Sequence, residues 1–185
     1  MIVRKILDCL LFSFVFVSGL FAQRNPEWAV SMDAKYVANL YAVDSGVYRC
    51  ARPDAAACAE LKKLGIGEVL NLCYLADNDK SVLSAGLTQY RVKLLAGKIN
   101  EEKVVDALRI IKNRQSPIVV HCKHGADRTG LIIALYRIVF QDWSKDAAIE
   151  EIETGDYNFH TVYSNIPEFI RNVDEISLKK AVFDE

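Results

Sequence analysis

The chain has 185 residues, 51% hydrophobic and 25% charged, which suits one domain with a sizeable core and excludes a disordered or fibrous protein. Its formal net charge of -1 gives no global attraction to nucleic acid or to a membrane surface, although it is compatible with a local positive pocket.

Arg4 and Lys5 lead into a mostly apolar run of about fourteen residues, 9–22, followed by Gln23, Arg24, Asn25 and Pro26. A short basic start, an apolar stretch and a small residue before a polar one mark a secretory signal. Residues 1–22 are therefore expected to be removed after Ala22, leaving 23–185 as a single domain; Asp8 departs from the pattern. The run is shorter than the about 20 apolar residues that a membrane span needs. The mature chain is thus expected to be exported, periplasmic or secreted, without an integral span, and membrane-anchored only if the signal is retained. Export leaves Cys50, Cys58, Cys73 and Cys122 in a compartment that permits disulfides. Cys50 and Cys58 either bridge or, together with Cys73, act as small buried apolar residues; burial is the expectation.

Residues 23–37 carry weak patterning. Strands are expected at 39–43 and 47–50, around the turn Asp44-Ser45-Gly46. Arg52-Pro53-Asp54 breaks the chain, and Asp54 caps a helix that runs through Leu64, with Gly65 just past its end. A short strand at 68–72, a polar loop at 76–81 and an alternating strand at 89–95 follow. Asn100 caps a helix with Val104, Val105, Leu108 and Ile111 at helical spacing. Ile118, Val119 and Val120 read as a strand buried on both faces, residues 121–129 as a loop, and 130–140 as a central helix apolar almost all round, broken chiefly by Arg137. Two amphipathic helices are expected at 145–153 and 166–178. Alternating strands and helices predict an α/β fold: a central, mostly parallel sheet of about four to five strands flanked by helices. Ligands of such sheets sit beyond the carboxyl ends of the strands, where the 121–129 loop lies.

That loop begins His121-Cys122-Lys123-His124-Gly125-Ala126-Asp127-Arg128-Thr129. Five residues between a cysteine and an arginine allow the backbone N–H groups to curl inward as an anion nest, with Gly125 free to take a positive φ. The following helix aims its positive end at the same point, and a planar guanidinium suits bidentate contact with phosphate oxygens. Thiols beside helix N-termini and cations favour the reactive thiolate. Cys122 is thus the candidate nucleophile and Arg128 the phosphate clamp. Residues 123–128 are expected to bind the phosphate around Gly125 and Ala126, with the side chains of Lys123 and His124 either adding positive character to the site or pointing to solvent, and Thr129 to support the leaving sulfur. A zinc reading of His121, Cys122 and His124 lacks a fourth ligand and any CxxC or HxxxH spacing.

The pattern Cys-x5-Arg-Thr after a histidine resembles the protein tyrosine and dual-specificity phosphatase superfamily, and within it the compact bacterial dual-specificity-like phosphatases. The resemblance covers roughly residues 38–178, including Val47-Tyr48-Arg49, Val69-Leu70-Asn71-Leu72 and Gly125-Ala126-Asp127-Arg128-Thr129-Gly130. It implies hydrolysis of phosphate monoesters on a phosphorylated substrate through a phosphocysteine, with no metal or organic cofactor, and a loop-ordering role for His121. Low-molecular-weight tyrosine phosphatases also use Cys-x5-Arg, but near the N-terminus.

The superfamily's general acid is commonly an aspartate on a loop after an earlier strand. The corresponding stretch here, 92–100, contains no carboxylate. Asp127 is the substitute candidate, since the loop also resembles that of myotubularin and Sac-type phosphoinositide phosphatases, which carry Asp-Arg-Thr. Alternatively Asp127 pairs with a nearby base or caps the helix. Asp77 and Asp79 are weaker candidates, and His160 reads as structural or surface. The basic Lys123 and His124 admit inositol phosphates as an alternative substrate class. A phosphate-binding module without catalysis, and a sulfur-transfer or redox enzyme, are the rival readings.

Overall fold

The computed structural model describes residues 24–75 and 79–184, so the expected signal at 1–22 and Asp77 lie outside the described residues. The strands are β1 (Val30–Ser31), β2 (Tyr41–Ala42), β3 (Val47–Cys50), β4 (Glu68–Asn71), β5 (Thr88–Arg91) and β6 (Ile118–His121). The helices are α1 (Ala55–Lys63), α2 (Asp79–Ser84), α3 (Glu101–Lys112), α4 (Asp127–Gln141), α5 (Lys145–Thr154), α6 (Asn165–Asn172) and α7 (Glu175–Phe183). They build one six-stranded sheet in the order β1-β2-β3-β6-β4-β5. β3, β6, β4 and β5 are parallel, and β1 and β2 add an antiparallel edge.

Strand alternation divides the core into two faces. Val119 and Val69 turn toward α1 and α2, packing with Cys58, Leu61, Val82 and Leu87. Ile118, Val120 and Leu70 turn toward α3 to α7. α4 is the centre of that second layer and is buried along nearly its whole length, which explains its apolar sequence. Its Arg137 is tolerated there because Glu151 takes its Nε and Nη2, both at 2.9 Å.

Local signals explain most boundaries. Asp44 accepts from the N–H groups of Gly46 and Val47 and closes the β2–β3 turn. Asp54 accepts from Ala57 N and Asn100 from Lys103 N, each capping its helix. Four expectations need correction. β1 lies in the segment that showed no pattern, because a two-residue edge strand is too short for one. The polar stretch at 76–81 gives way to α2 from Asp79, which buries Val82 against α1. The helix expected at 166–178 is two helices, because Val173 is extended and Asp174 starts a new cap. Finally, α4 starts at Asp127, not near Thr129, so the loop after β6 is only 122–126.

Candidate active site

β6 delivers Cys122 at its carboxyl end, in the middle of the parallel strands. The five-residue loop then turns back into α4. Gly125 takes φ +72°, a conformation open chiefly to glycine. Every carbonyl of this loop is held by a named donor. His121 Nδ1 lies 3.2 Å from the Cys122 carbonyl, and Arg52 N donates to Lys123 O at 3.3 Å. Asn39 Nδ2 donates to His124 O at 2.9 Å, Arg49 Nη2 to Gly125 O at 2.8 Å, and Gly130 N to Ala126 O at 2.6 Å. By contrast, no backbone N–H from 123 to 126 has an acceptor among the described residues. Carbonyls fixed outward and amides left free make an anion nest at the N-terminus of a fifteen-residue helix.

The side chains around the nest are cationic. Arg52, Cys73, Tyr74, Leu75, Lys123 and Arg128 line a cavity of about 190 Å³. The guanidinium of Arg128 forms no ion pair or hydrogen bond with any described residue, as suits a group reserved for an anion. Cys122 is only 1% exposed. Burial pushes the Cys73 thiol up, against the pull of Arg128, Arg52 and Arg91. Cys50, Cys58, Cys73 and Cys122 are all free and buried. Cys73 lines the cavity, Cys50 ends β3, and Cys58 lies on the buried side of α1 in the other face of the core.

His121 is fully buried, and burial, aided by Arg52 and Arg128, lowers its pKa to about 4. The ring is therefore neutral near pH 7 and orders the loop by donating from Nδ1 to the Cys122 carbonyl. Thr129 is buried with its hydroxyl unpartnered among the described residues, so it makes no hydrogen bond to the Cys122 sulfur in this state. Asp127 does not line the cavity: its carboxylate engages His160, the histidine read from sequence as structural or surface. The rings of His160 and His124 lie 5.4 Å apart.

Three further features escaped the sequence reading. Arg52 reads there only as part of a chain break, yet it borders the cavity. The stretch 92–100, noted for lacking an acid, supplies Lys93 and Lys98 to an adjoining cavity of about 280 Å³. That cavity shares Tyr74 with the first and also borders Lys103. Lys103 pairs with Asp106 at 3.0 Å, whereas Lys93 and Lys98 have no acidic partner among the described residues. Arg49 reads there as one residue of a strand, though a charged residue inside the four-residue strand Val47–Cys50 is a signal in itself.

Comparison with known proteins agrees with this geometry. The family model described as tyrosine phosphatase family matches residues 37–182. The dual specificity protein phosphatase TpbA of Pseudomonas aeruginosa is 34% identical over 166 residues, 87% of this chain and 73% of its own. An inositol diphosphatase of Arabidopsis thaliana is 30% identical over 125 residues, covering 62% of this chain and 61% of its own. The crystal structure of P. aeruginosa TpbA superposes with a TM-score of 0.77 at 32% identity, over 86% of this chain and 98% of that one. A TpbA variant in complex with phosphotyrosine also gives 0.77, at 31% identity, over 88% and 99%. The chain that folds Cys122 and Arg128 into this nest therefore belongs to the tyrosine phosphatase family and is a cysteine-dependent phosphatase.

Proposed function

We propose that the chain hydrolyses phosphate monoesters, phosphotyrosine among them, in two steps through a phosphocysteine on Cys122. The observation that carries this reading is the loop between Cys122 and Arg128 whose carbonyls are all held by donors while its amides 123–126 have no acceptor among the described residues. The Cys122 thiolate attacks phosphorus; an S–P bond forms, the P–O ester bond breaks, and the leaving oxygen takes a proton. Water then attacks phosphorus, the S–P bond breaks, and thiolate and inorganic phosphate are released. Arg128 and the loop amides hold the three equatorial oxygens in both transition states. A wider groove of about 850 Å³, bordered by Asn39, Tyr41, Lys123, His124 and Asp156, gives room for polypeptide flanking a phosphorylated residue.

The test is vanadate-sensitive hydrolysis of an aryl phosphate by the wild type, Cys122→Ser and Arg128→Ala. Near-complete loss in both variants is expected. Robust turnover by the serine variant would remove Cys122 as nucleophile. Thiol chemistry that survives Arg128→Ala would favour a sulfur-transfer or redox enzyme, and vanadate binding without turnover a binding module.

The lysines of 92–100 favour a second reading, hydrolysis of a diphosphate such as an inositol diphosphate, the activity for which several relatives are named. A departing phosphate needs little protonation, so a loop offering Lys93 and Lys98 instead of a carboxylate suits it. We also place the mature enzyme outside the cytoplasm, on the pattern of residues 1–22. N-terminal sequencing of the cell-free fraction should begin at Gln23.

A further inference from the structure

Arg49 is a fully buried arginine directly behind the catalytic loop. Nη2 donates to the Gly125 carbonyl at 2.8 Å, and the guanidinium carbon lies 3.7 Å from the centroid of the Tyr157 ring. Nε and Nη1 have no partner among the described residues. Among the described residues no carboxylate forms an ion pair with it. The nearest candidate, Glu151, is already engaged by Arg137, by the N–H of Ala29 and by the hydroxyl of Tyr157. Burial pulls the guanidinium below the ordinary arginine value, and Tyr157, Glu151, Cys122 and Tyr41 oppose that pull.

A buried cation without a counter-ion is strongly unfavourable by itself. It becomes favourable when an anion is set against it in the same low-dielectric region. Tyr157 is a neutral phenol near pH 7, since burial and the neighbouring Glu151 keep it protonated. The anions within its field that the reaction creates are the Cys122 thiolate and the phosphoryl group bound in the nest. The ring of Tyr157 accepts the face of the cation but carries no charge to neutralise it.

We propose that Arg49 is a positioning residue of the phosphatase reaction, a permanent buried cation that holds the Gly125 carbonyl outward and favours both the Cys122 thiolate and the bound phosphate. It touches neither substrate nor sulfur; it acts through the loop and through its field. The inference rests on the reading of Cys122 as nucleophile.

Cys50 from β3, Cys73 from the segment after β4 and Arg49 lie within the field of Cys122, and Arg52 and Arg128 line the cavity beside Cys73. Arg49, Arg52 and Arg128 carry permanent charge, and of these Arg49 is the one bonded to the Gly125 carbonyl, so its neutralisation is the direct test. The experiment compares Arg49→Met, Arg49→Gln and Arg49→Lys with the wild type, each first checked for a cooperative thermal transition. Two quantities are read: the pH midpoint of Cys122 alkylation by iodoacetamide, and the dissociation constant for vanadate. Glutamine keeps a donor for Gly125 without charge; lysine keeps charge without the planar fork. The neutral variants are expected to raise the alkylation midpoint by about one pH unit and to weaken vanadate about tenfold. The lysine variant should stay within about 0.3 unit and threefold. Wild-type midpoints and vanadate affinity in either neutral variant overturn the proposal. If neither neutral variant folds, Arg49→Lys decides, and a midpoint raised by a full unit there overturns it. Failure of the wild type to bind vanadate would instead remove the nucleophile reading, and this inference with it.

Discussion

His160 holds the carboxylate of Asp127 from two sides: its backbone N–H lies 2.9 Å from Oδ1, and its ring Nδ1 lies 2.9 Å from Oδ1 and 3.0 Å from Oδ2. Nδ1 is therefore the protonated ring nitrogen, and Asp127 acts as an anchor that ties the start of α4 to the segment after α5. This is the pairing alternative to an acid role. Asp127 also sits in the first helical turn, where an acidic side chain is favoured by the macrodipole.

Asp127→Asn distinguishes anchor from acid. An anchor variant keeps one acceptor for the His160 N–H but loses the second carboxylate oxygen that faces Nδ1, so it should destabilise the fold by about 1 kcal/mol. Turnover of aryl and alkyl phosphates should then fall in the same proportion. An acid would show otherwise, because aryl leaving groups need little protonation and alkyl ones need much. The ratio of kcat/KM for the two substrate types, wild type against variant, measures this. A loss confined to the alkyl substrate would restore Asp127 as the acid.

Gly125→Ala should be the most damaging single-methyl change in the loop. A Cβ there would collide with the Cys50 carbonyl, in a backbone at φ +72°. Both the close approach and the conformation resist the substitution, and a loss of about 2 kcal/mol or more in stability is expected, with near-complete loss of turnover as the carbonyl clamp from Arg49 is displaced. Gly65→Ala is the control: it shares a positive φ of +83° but has nothing within 4 Å of the new Cβ. It should cost only about 1 kcal/mol and leave activity intact. Denaturant melts of both variants, with activity at equal folded fraction, test the pair.

His121 makes stability pH-dependent. Its pKa falls from about 6.5 unfolded to about 4 in the fold, chiefly through burial. Between those values the unfolded chain binds more protons than the native one, so stability falls as pH drops from about 6.5 toward 4. The stabilisation is fully present above that window, and its loss approaches about 3 kcal/mol at the acid end. His121→Asn should flatten this part of the profile, measured as urea midpoints between pH 7 and pH 4. A profile unchanged by the substitution would show that another group governs it.

The loop was legible because its chemistry is local. Cys122, Gly125 and Arg128 lie within seven consecutive positions, and the strand before them and helix after them carry their own hydrophobic periods. The carbonyl clamps were not legible. Asn39, Arg49 and Arg52 come from segments far away in sequence, and only the pairing of β3 with β6 sets Cys50 beside His121. The same reason hid His160, which lies 33 positions from Asp127. α2 was missed because the burial of Val82 against α1 overrides a polar, loop-like composition. The α6–α7 break was readable in principle, since Asp174 followed by Glu175 is a helix-start signal that a continuous apolar pattern masked.

The lysines of 92–100 separate the two substrate readings. Lys93 and Lys98 are exposed and lack acidic partners among the described residues, and their cavity meets the catalytic one at Tyr74. A monoester places its single phosphate in the nest and leaves this second cavity to the rest of the substrate. A diphosphate places its second phosphate there, where each exposed lysine contributes about 1 kcal/mol. Lys93→Ala with Lys98→Ala should therefore lower kcat/KM about tenfold or more for an inositol diphosphate and less than about threefold for an aryl monoester. The larger effect should shrink as salt rises from about 0.05 to 0.5 M, because exposed charges are screened over that range. Equal losses on both substrates would assign the lysines to general attraction of anions. No loss on the diphosphate would remove them from the site and leave the monoester reading standing alone.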